Sequence, residues 1–329
     1  MQLLLRRLTT SGTRLAPLAL AAAMAAVSAA ACAGGGEPDA STTTDSAGRA
    51  AAAATDSGPA ARTVAAAERT ASNGAVPYDS SRYGEGAIPD GPLGASIRRG
   101  RAILLHTGDS LPRNVGNNLR CTSCHLDAGL RPNAAPLVGV YARFPQFRTR
   151  TGKVAMLEER VNDCFERSMN GRAIPWQSSE MRDIVAYLSF LSSGIAAPGV
   201  VVGQGLPHLE PLEPDTARGR AVYASTCAVC HGPDGGGIAT NPALWGPRSY
   251  NIGASMARLG PAAGFIRHNM PFDRPGTLTD QQAHDVAAYI NSHARPDLRG
   301  KENDWPNGGA PADVPYRTRG ARQASGATD

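Results

Sequence analysis

Two runs of the chain set a pair of cysteines beside a histidine: CTSCH, with Cys121, Cys124 and His125, and CAVCH, with Cys227, Cys230 and His231. Thiols at this spacing add to the two vinyl groups on one porphyrin edge, and the neighbouring histidine meets the iron from the proximal side. Each run therefore reads as an attachment site for one covalent haem c. A zinc ribbon uses similar cysteine spacing. Two runs inside one repeated helical unit, behind an export signal, argue against it.

The residues that would take the sixth iron position differ between the two runs. Met270, in HNMPF, lies 39 residues after His231. A methionine just before a proline on a distal loop suits an axial thioether, a neutral soft ligand that favours ferrous iron and raises the potential. Met256, in GASMARLG, is the competing methionine and lacks the proline. The same 39-residue step from His125 lands on Cys164, with Met169 as its competitor five residues on. A free cysteine is ordinarily a small buried hydrophobe, but spare thiols are unusual in an exported protein. As a thiolate ligand Cys164 would push electron density onto iron and lower the potential. The first haem would then sit below the second, and electrons would run from first to second and out.

The segment around Cys164 carries Arg148, Arg150, Lys153, Arg160, Arg167 and Arg172. On a helix Arg160, Cys164 and Ser168 follow at four-residue steps and share one face. A guanidinium, a thiolate and a hydroxyl in line suit a small oxyanion that must be brought to sulfur. A solvated helix surface, with Glu158, Glu159 and Glu166 pairing the arginines, is the plainer alternative for any single arginine.

These groups must be positioned by helices, and the chain contains the same helical unit twice. SIRRGRAILLHT (96–107) and DTARGRAVYAST (215–226) share R-G-R-A before apolar residues, which fits an amphipathic helix with a glycine at a close crossing. Each leads to one C-x-x-C-H run, with a polar insertion (109–120) in the first copy, and a proline follows each motif histidine by eleven residues, Pro136 and Pro242. Each copy closes on a similar helix, EMRDIVAYLSFL (180–191) and QAHDVAAYINSH (282–293), with Tyr187 and Tyr289 four residues past Asp183 and Asp285. An aromatic packed on the first helix's glycine is the crossing usual in class I cytochromes c. No strand pattern competes, and Pro207, Pro211 and Pro214 mark the connector. The expected fold class is all-α: two tandem class I cytochrome c domains, each binding one covalent haem c.

The ends and the charge bound the function further. Arg6 and Arg7 precede an Ala-rich apolar stretch (15–31) ending at Cys32, which reads as a signal peptide over residues 1–31. Lipidation of Cys32, giving membrane attachment, and plain cleavage near Ala31 are its two outcomes. Residues 32–80 read as a disordered tether, 81–200 as the domain of the active-site haem, 201–300 as the domain of the electron-transfer haem, and 301–329 as an extension. The formal net charge is +5, and removal of Arg6, Arg7 and Arg14 leaves 30 basic against 28 acidic residues. That balance is too weak to argue for nucleic acid, and no nucleic-acid partner is expected. Aromatic content is 5%, tolerable where a porphyrin supplies flat apolar surface.

RVNDCFERSMNG, GFIRHNMP and the late GKENDWPNG together resemble the di-haem thiosulfate dehydrogenase family, whose members also act as tetrathionate reductases. The resemblance runs from Leu93 to about Tyr316. It implies a His/Cys haem at the active site and oxidative coupling of two thiosulfates to tetrathionate, in the periplasm, with electrons passed to an external carrier such as a small cytochrome c. It also implies that Cys164 ligates haem iron and that Arg150, Arg160 and Ser168 bind substrate. Some members place a lysine beside the second-haem methionine; here His268 and Asn269 stand there. A di-haem electron-transfer protein without substrate, and a haem subunit of a sulfur-oxidising complex, are the alternatives.

Overall fold

The structure is a computed structural model that describes residues 76–320. The expected signal peptide, Cys32 and most of the expected tether lie outside the described residues. Six helices of seven residues or more occur among the described residues: α1 (Gly91–Leu105), α2 (Leu157–Asp163), α3 (Ser179–Phe190), α4 (Thr216–Val222), α5 (Leu259–Asn269) and α6 (Asp280–Asn291). Three of them start on side-chain caps. Ser178 accepts from Met181 N to start α3, Asp215 caps α4, and Thr279 and Gln282 form a reciprocal box at α6.

The repeat expected from the sequence is a repeat in space. Helix α1 crosses α3, and α4 crosses α6. A Cβ on Gly100 would overlap the Asp183 carbonyl oxygen and press within 2.9 Å of Tyr187 Cβ. A Cβ on Gly219 would overlap the Asp285 carbonyl oxygen and come within 2.9 Å of Tyr289 Cβ. Only a residue without a side chain lets the backbones approach so closely. The same crossings are locked by charge. Arg99 grips Asp183 through Nε and Nη2 at 2.7 and 2.8 Å, and Arg218 grips Asp285 at 2.7 and 3.0 Å.

Each half has its own apolar centre. In the first, Ile97, Leu104, Phe165, Ile184 and Leu188 pack around Tyr187, whose hydroxyl donates to Ala128 O at 2.8 Å. In the second, Tyr223 meets Trp245 and Tyr289 with ring centroids 4.9 and 5.5 Å apart. There α5 lies against α6 through Ala262, Ala263 and Ala287.

Two features depart from the sequence expectations. A short antiparallel hairpin, β1 (Gln146–Arg148) with β2 (Lys153–Ala155), pairs Arg148 with Lys153 beside its turn and Gln146 with Ala155 at its open end. Its turn is RTRTGK, where Gly152 adopts φ +66° and supplies the left-handed residue the reversal needs. Three residues per strand are too few to leave an alternating pattern. Residues 76–80, read as tether, are also tied down: Val76 bridges Val201, and the Tyr78 hydroxyl donates to Leu130 O. No helix among the described residues is long and apolar enough to cross a membrane.

The candidate haem and thiolate site

Helix α2 does not stop at Asp163; it widens into a π-helical turn, Cys164–Ser168. Met169 N donates to Cys164 O at 2.9 Å to close that turn. Single π-turns are uncommon and concentrate at functional sites, because the extra residue re-aims side chains. Here Arg160, Cys164 and Ser168 all line one cavity of about 1270 Å³, its open mouth included, together with Cys121, Cys124 and His125. The structure brings these residues to one cavity.

Arg160 Nη1 donates to Cys164 Sγ at 2.8 Å. Burial alone would push the Cys164 thiol up, but the Arg160 charge and the nearby His125 ring outweigh it and bring it down to about 7. Helix α2 sets this contact by putting the two residues one turn apart. Arg148 lines the same cavity from β1, and its Nη1 holds Asp163 at 2.6 Å. Burial and the facing Arg160 charge lower the Arg148 guanidinium. Arg120 and Arg143 complete the cationic wall, and no carboxylate stands among the described residues lining the cavity.

The residues present fit a haem c. His125 Nδ1 lies 2.6 Å from Ala135 O, which can only accept, so that nitrogen carries the hydrogen and Nε2 keeps its lone pair for iron. Cys164 and the His125 ring line the same cavity and influence each other electrostatically, so a histidine and a sulfur share an enclosure that also holds both motif thiols. Leu104, Leu137, Ile184 and Leu188 supply its flat walls. Met169, the competing ligand, is buried in the core and also reaches this cavity.

The second motif repeats the proximal device: His231 Nδ1 lies 2.9 Å from Pro242 O. Burial lowers that ring's affinity for a proton, with the Pro242 bond opposing, which favours the neutral form a metal requires. Cys227 packs with Tyr223, Trp245 and Ile290, while Cys230 is exposed. Met270 follows α5 and packs against Phe265 and, from the first half, Leu126 and Ala134. Met256 touches that same cluster and the one around Tyr250.

Arg150, the remaining residue that the resemblance assigns to substrate, is held by partners of its own. It sits in the hairpin turn, outside the residues lining the cavity, with Nε 3.0 Å from Asp304 and Nη2 2.7 Å from both Gly253 O and the Tyr316 hydroxyl. Its guanidinium lies over the Trp305 ring at 4.8 Å. Its charged partner is Asp304, which Arg167 also grips through both terminal nitrogens at 2.8 Å. Burial opposes the Asp304 carboxylate, yet bonds from Arg167 and Tyr316 and the Arg150 charge hold it below the usual carboxylate range. Asp304 and Asp163 are not among the residues that the sequence singles out. Arg148 was visible as one of a crowd of arginines; Asp304 had a motif, KENDWPNG, but no partner in sequence to give it a role.

Comparison with known proteins finds relatives of both halves. Residues 113–197 match the family model described as SoxA/TsdA, cytochrome c domain, and residues 216–294 match the model described as cytochrome c. The chain is 47% identical over 220 residues to a thiosulfate dehydrogenase of Allochromatium vinosum, covering 64% of this chain and 82% of that one. It is 44% identical over 237 residues to a thiosulfate dehydrogenase of Psychrobacter arcticus, covering 70% and 72%. Among solved structures, thiosulfate dehydrogenase (TsdBA) from Marichromatium purpuratum in its as-isolated form aligns with a TM-score of 0.63 at 38% identity, covering 66% of this chain. The chain spans half the length of that solved chain. With two cytochrome c domains, each built to carry a covalent haem c, the chain belongs to the thiosulfate dehydrogenase family.

Proposed function

We propose that the chain oxidises thiosulfate, coupling two molecules to tetrathionate and releasing two electrons, with Cys164 as the reacting sulfur. The observation that carries this reading is the 2.8 Å contact between Arg160 and Cys164 opposite His125, in one cavity with the first pair of motif thiols. His125 and Cys164 would hold the first haem, and His231 and Met270 the second. The haems supply a sink for the electrons and a way out to an external cytochrome.

The chain's own residues have to manage charge. Two thiosulfate dianions repel, and a wall of Arg120, Arg143, Arg148 and Arg160 without a lining carboxylate favours anionic groups, haem propionates and substrate alike. Arg160 holds one thiosulfate against Sγ, and the Ser168 hydroxyl donates to it from the same turn. The Cys164 thiolate and the outer sulfur of that thiosulfate form an S–S bond, giving up two electrons. The second thiosulfate attacks the outer sulfur of the Cys164 S-thiosulfonate, tetrathionate leaves, and the thiolate returns. Holding both anions in line makes the second step effectively unimolecular. Arg150, bound to Asp304, serves this reading as a support for the hairpin that carries Arg148.

Export to the periplasm by residues 1–31, and a lipid on Cys32, complete the proposal. The test is thiosulfate-dependent reduction of an electron acceptor by the wild type and by Cys164→Ala. The wild type should turn over and the variant should not. Equal rates, or none in the wild type, would remove the reading.

A further inference from the structure

We infer that Asp304, a residue beyond the second haem domain, is the positioning residue of the reacting turn in the first, acting through Arg167. The inference rests on the reading of Cys164 as iron ligand and reacting sulfur. A π-turn is held by fewer well-formed internal hydrogen bonds than an α-helix, so its aim depends on what grips it from outside. The grips fall on its last three residues. Asn251 Nδ2 donates to Glu166 O at 2.7 Å, Asn251 N to Arg167 O at 3.2 Å, and Asn117 Nδ2 to Ser168 O at 2.9 Å.

The charged grip is Asp304. Its side chain is 7% exposed and takes the Arg167 fork at 2.8 Å on each oxygen. The same carboxylate accepts from Arg150 Nε at 3.0 Å and from the Tyr316 hydroxyl at 2.6 Å. Arg167 stands between Cys164 and Ser168 in the turn, and its Nε lies 3.6 Å from Asp163. Asp163 in turn holds Arg148 of the cavity wall. A fork on a carboxylate fixes direction as well as distance, so one buried acid sets the turn that presents Cys164 and the hairpin that presents Arg148. Without it, two guanidiniums 12% and 15% exposed lose their shared counter-charge.

The test uses the full-length protein with both haems attached, as wild type, Asp304→Asn, Asp304→Glu and Cys164→Ala. The readouts are haem content, the low-spin ferric electron paramagnetic resonance signal of the thiolate-ligated haem, and kcat and KM for thiosulfate. Asp304→Asn should keep both haems, shift or split the thiolate signal, and lower kcat about 10–100-fold, the range for loss of an outer-shell partner. Asp304→Glu should recover the signal in part. An unchanged thiolate signal and kcat in Asp304→Asn, even with a lowered melting point, would make Asp304 a staple between domains and overturn the inference. If that variant fails to take up haem, Arg167→Lys, which keeps the charge and loses the fork, is read the same way; failure of both to take up haem overturns it too. A wild type whose spectrum matches Cys164→Ala would instead sink the underlying assignment of Cys164, a distinct result.

Discussion

The side-chain amide of Asn269 donates to the backbone carbonyl of Asn133 at 2.8 Å, across the two halves of the molecule. Asn269 is 1% exposed and precedes Met270; Asn133 lies two residues before Ala135, whose carbonyl orients His125. The loop on the proximal side of one haem site thus supports the loop carrying the sulfur assigned to the other. Asn269→Ala should loosen Met270 and lower the potential of the second haem. A shift on the order of 100 mV is expected, a fraction of the ~0.8 V that axial ligands span, with Met270→Ala at least as large. A redox titration that resolves the two haems checks both, and an unmoved second potential in Met270→Ala would deny Met270 its ligand role.

Arg160 is expected to matter through its charge and its hydrogen bond to sulfur. Arg160→Gln should lower thiosulfate oxidation about 100-fold, comparable to removing one donor from a preorganised anion site. Haem content should not change. Arg160→Lys should fall between, because an ammonium restores charge without the planar fork. Steady-state rates against acceptor reduction, at matched haem, decide it.

The helix crossings give a stability prediction. Gly100→Ala and Gly219→Ala each place a methyl group against the carbonyl of Asp183 or Asp285. Forcing apart a close-packed contact costs about 1–3 kcal/mol, and the two substitutions should cost similar amounts because the geometry repeats. Urea unfolding monitored by circular dichroism measures this. Gly108→Ala, where a Cβ meets nothing within 4 Å, is the control.

Acid should weaken the same crossings. Burial alone would raise the Asp183 pKa, but hydrogen bonds from Arg99 and Ser96 outweigh it; at Asp285 burial is outweighed by Arg218, the Asp215 backbone and Gln281. Both carboxylates are therefore depressed in the folded state. Their contribution is fully present above the unfolded value of about 4 and is lost as pH falls through the folded values. The urea midpoint should decline below about pH 4, and less steeply in Asp183→Asn and Asp285→Asn. Parallel wild-type and variant curves would show that these pairs carry no such linkage.

How far the sequence could be read follows from how local each signal was. The glycine crossings were legible because R-G-R-A and D-x-x-x-Y recur in register, and both tyrosines land on their glycines. Cys164 was legible because repetition supplied a ruler, the distance from His231 to Met270. Arg160 followed from helical spacing alone. The grip on Arg150 was not legible because its partners, Asp304 and Tyr316, stand 154 and 166 residues away. No periodicity links residues across such a separation. The hairpin was missed for the opposite reason, being too short to alternate.

The stitching of the hairpin turn to the last segment has a consequence for biosynthesis. Trp305 N donates to Arg150 O at 2.8 Å, and Asp304 closes over Arg150 and Arg167. The first half emerges first, yet the turn carrying Cys164 gains its buried counter-charge only when Asp304, 137 residues beyond Arg167, arrives. Maturation of this site therefore runs against the order of translation, and a prematurely ended chain would be left without the carboxylate that holds the turn.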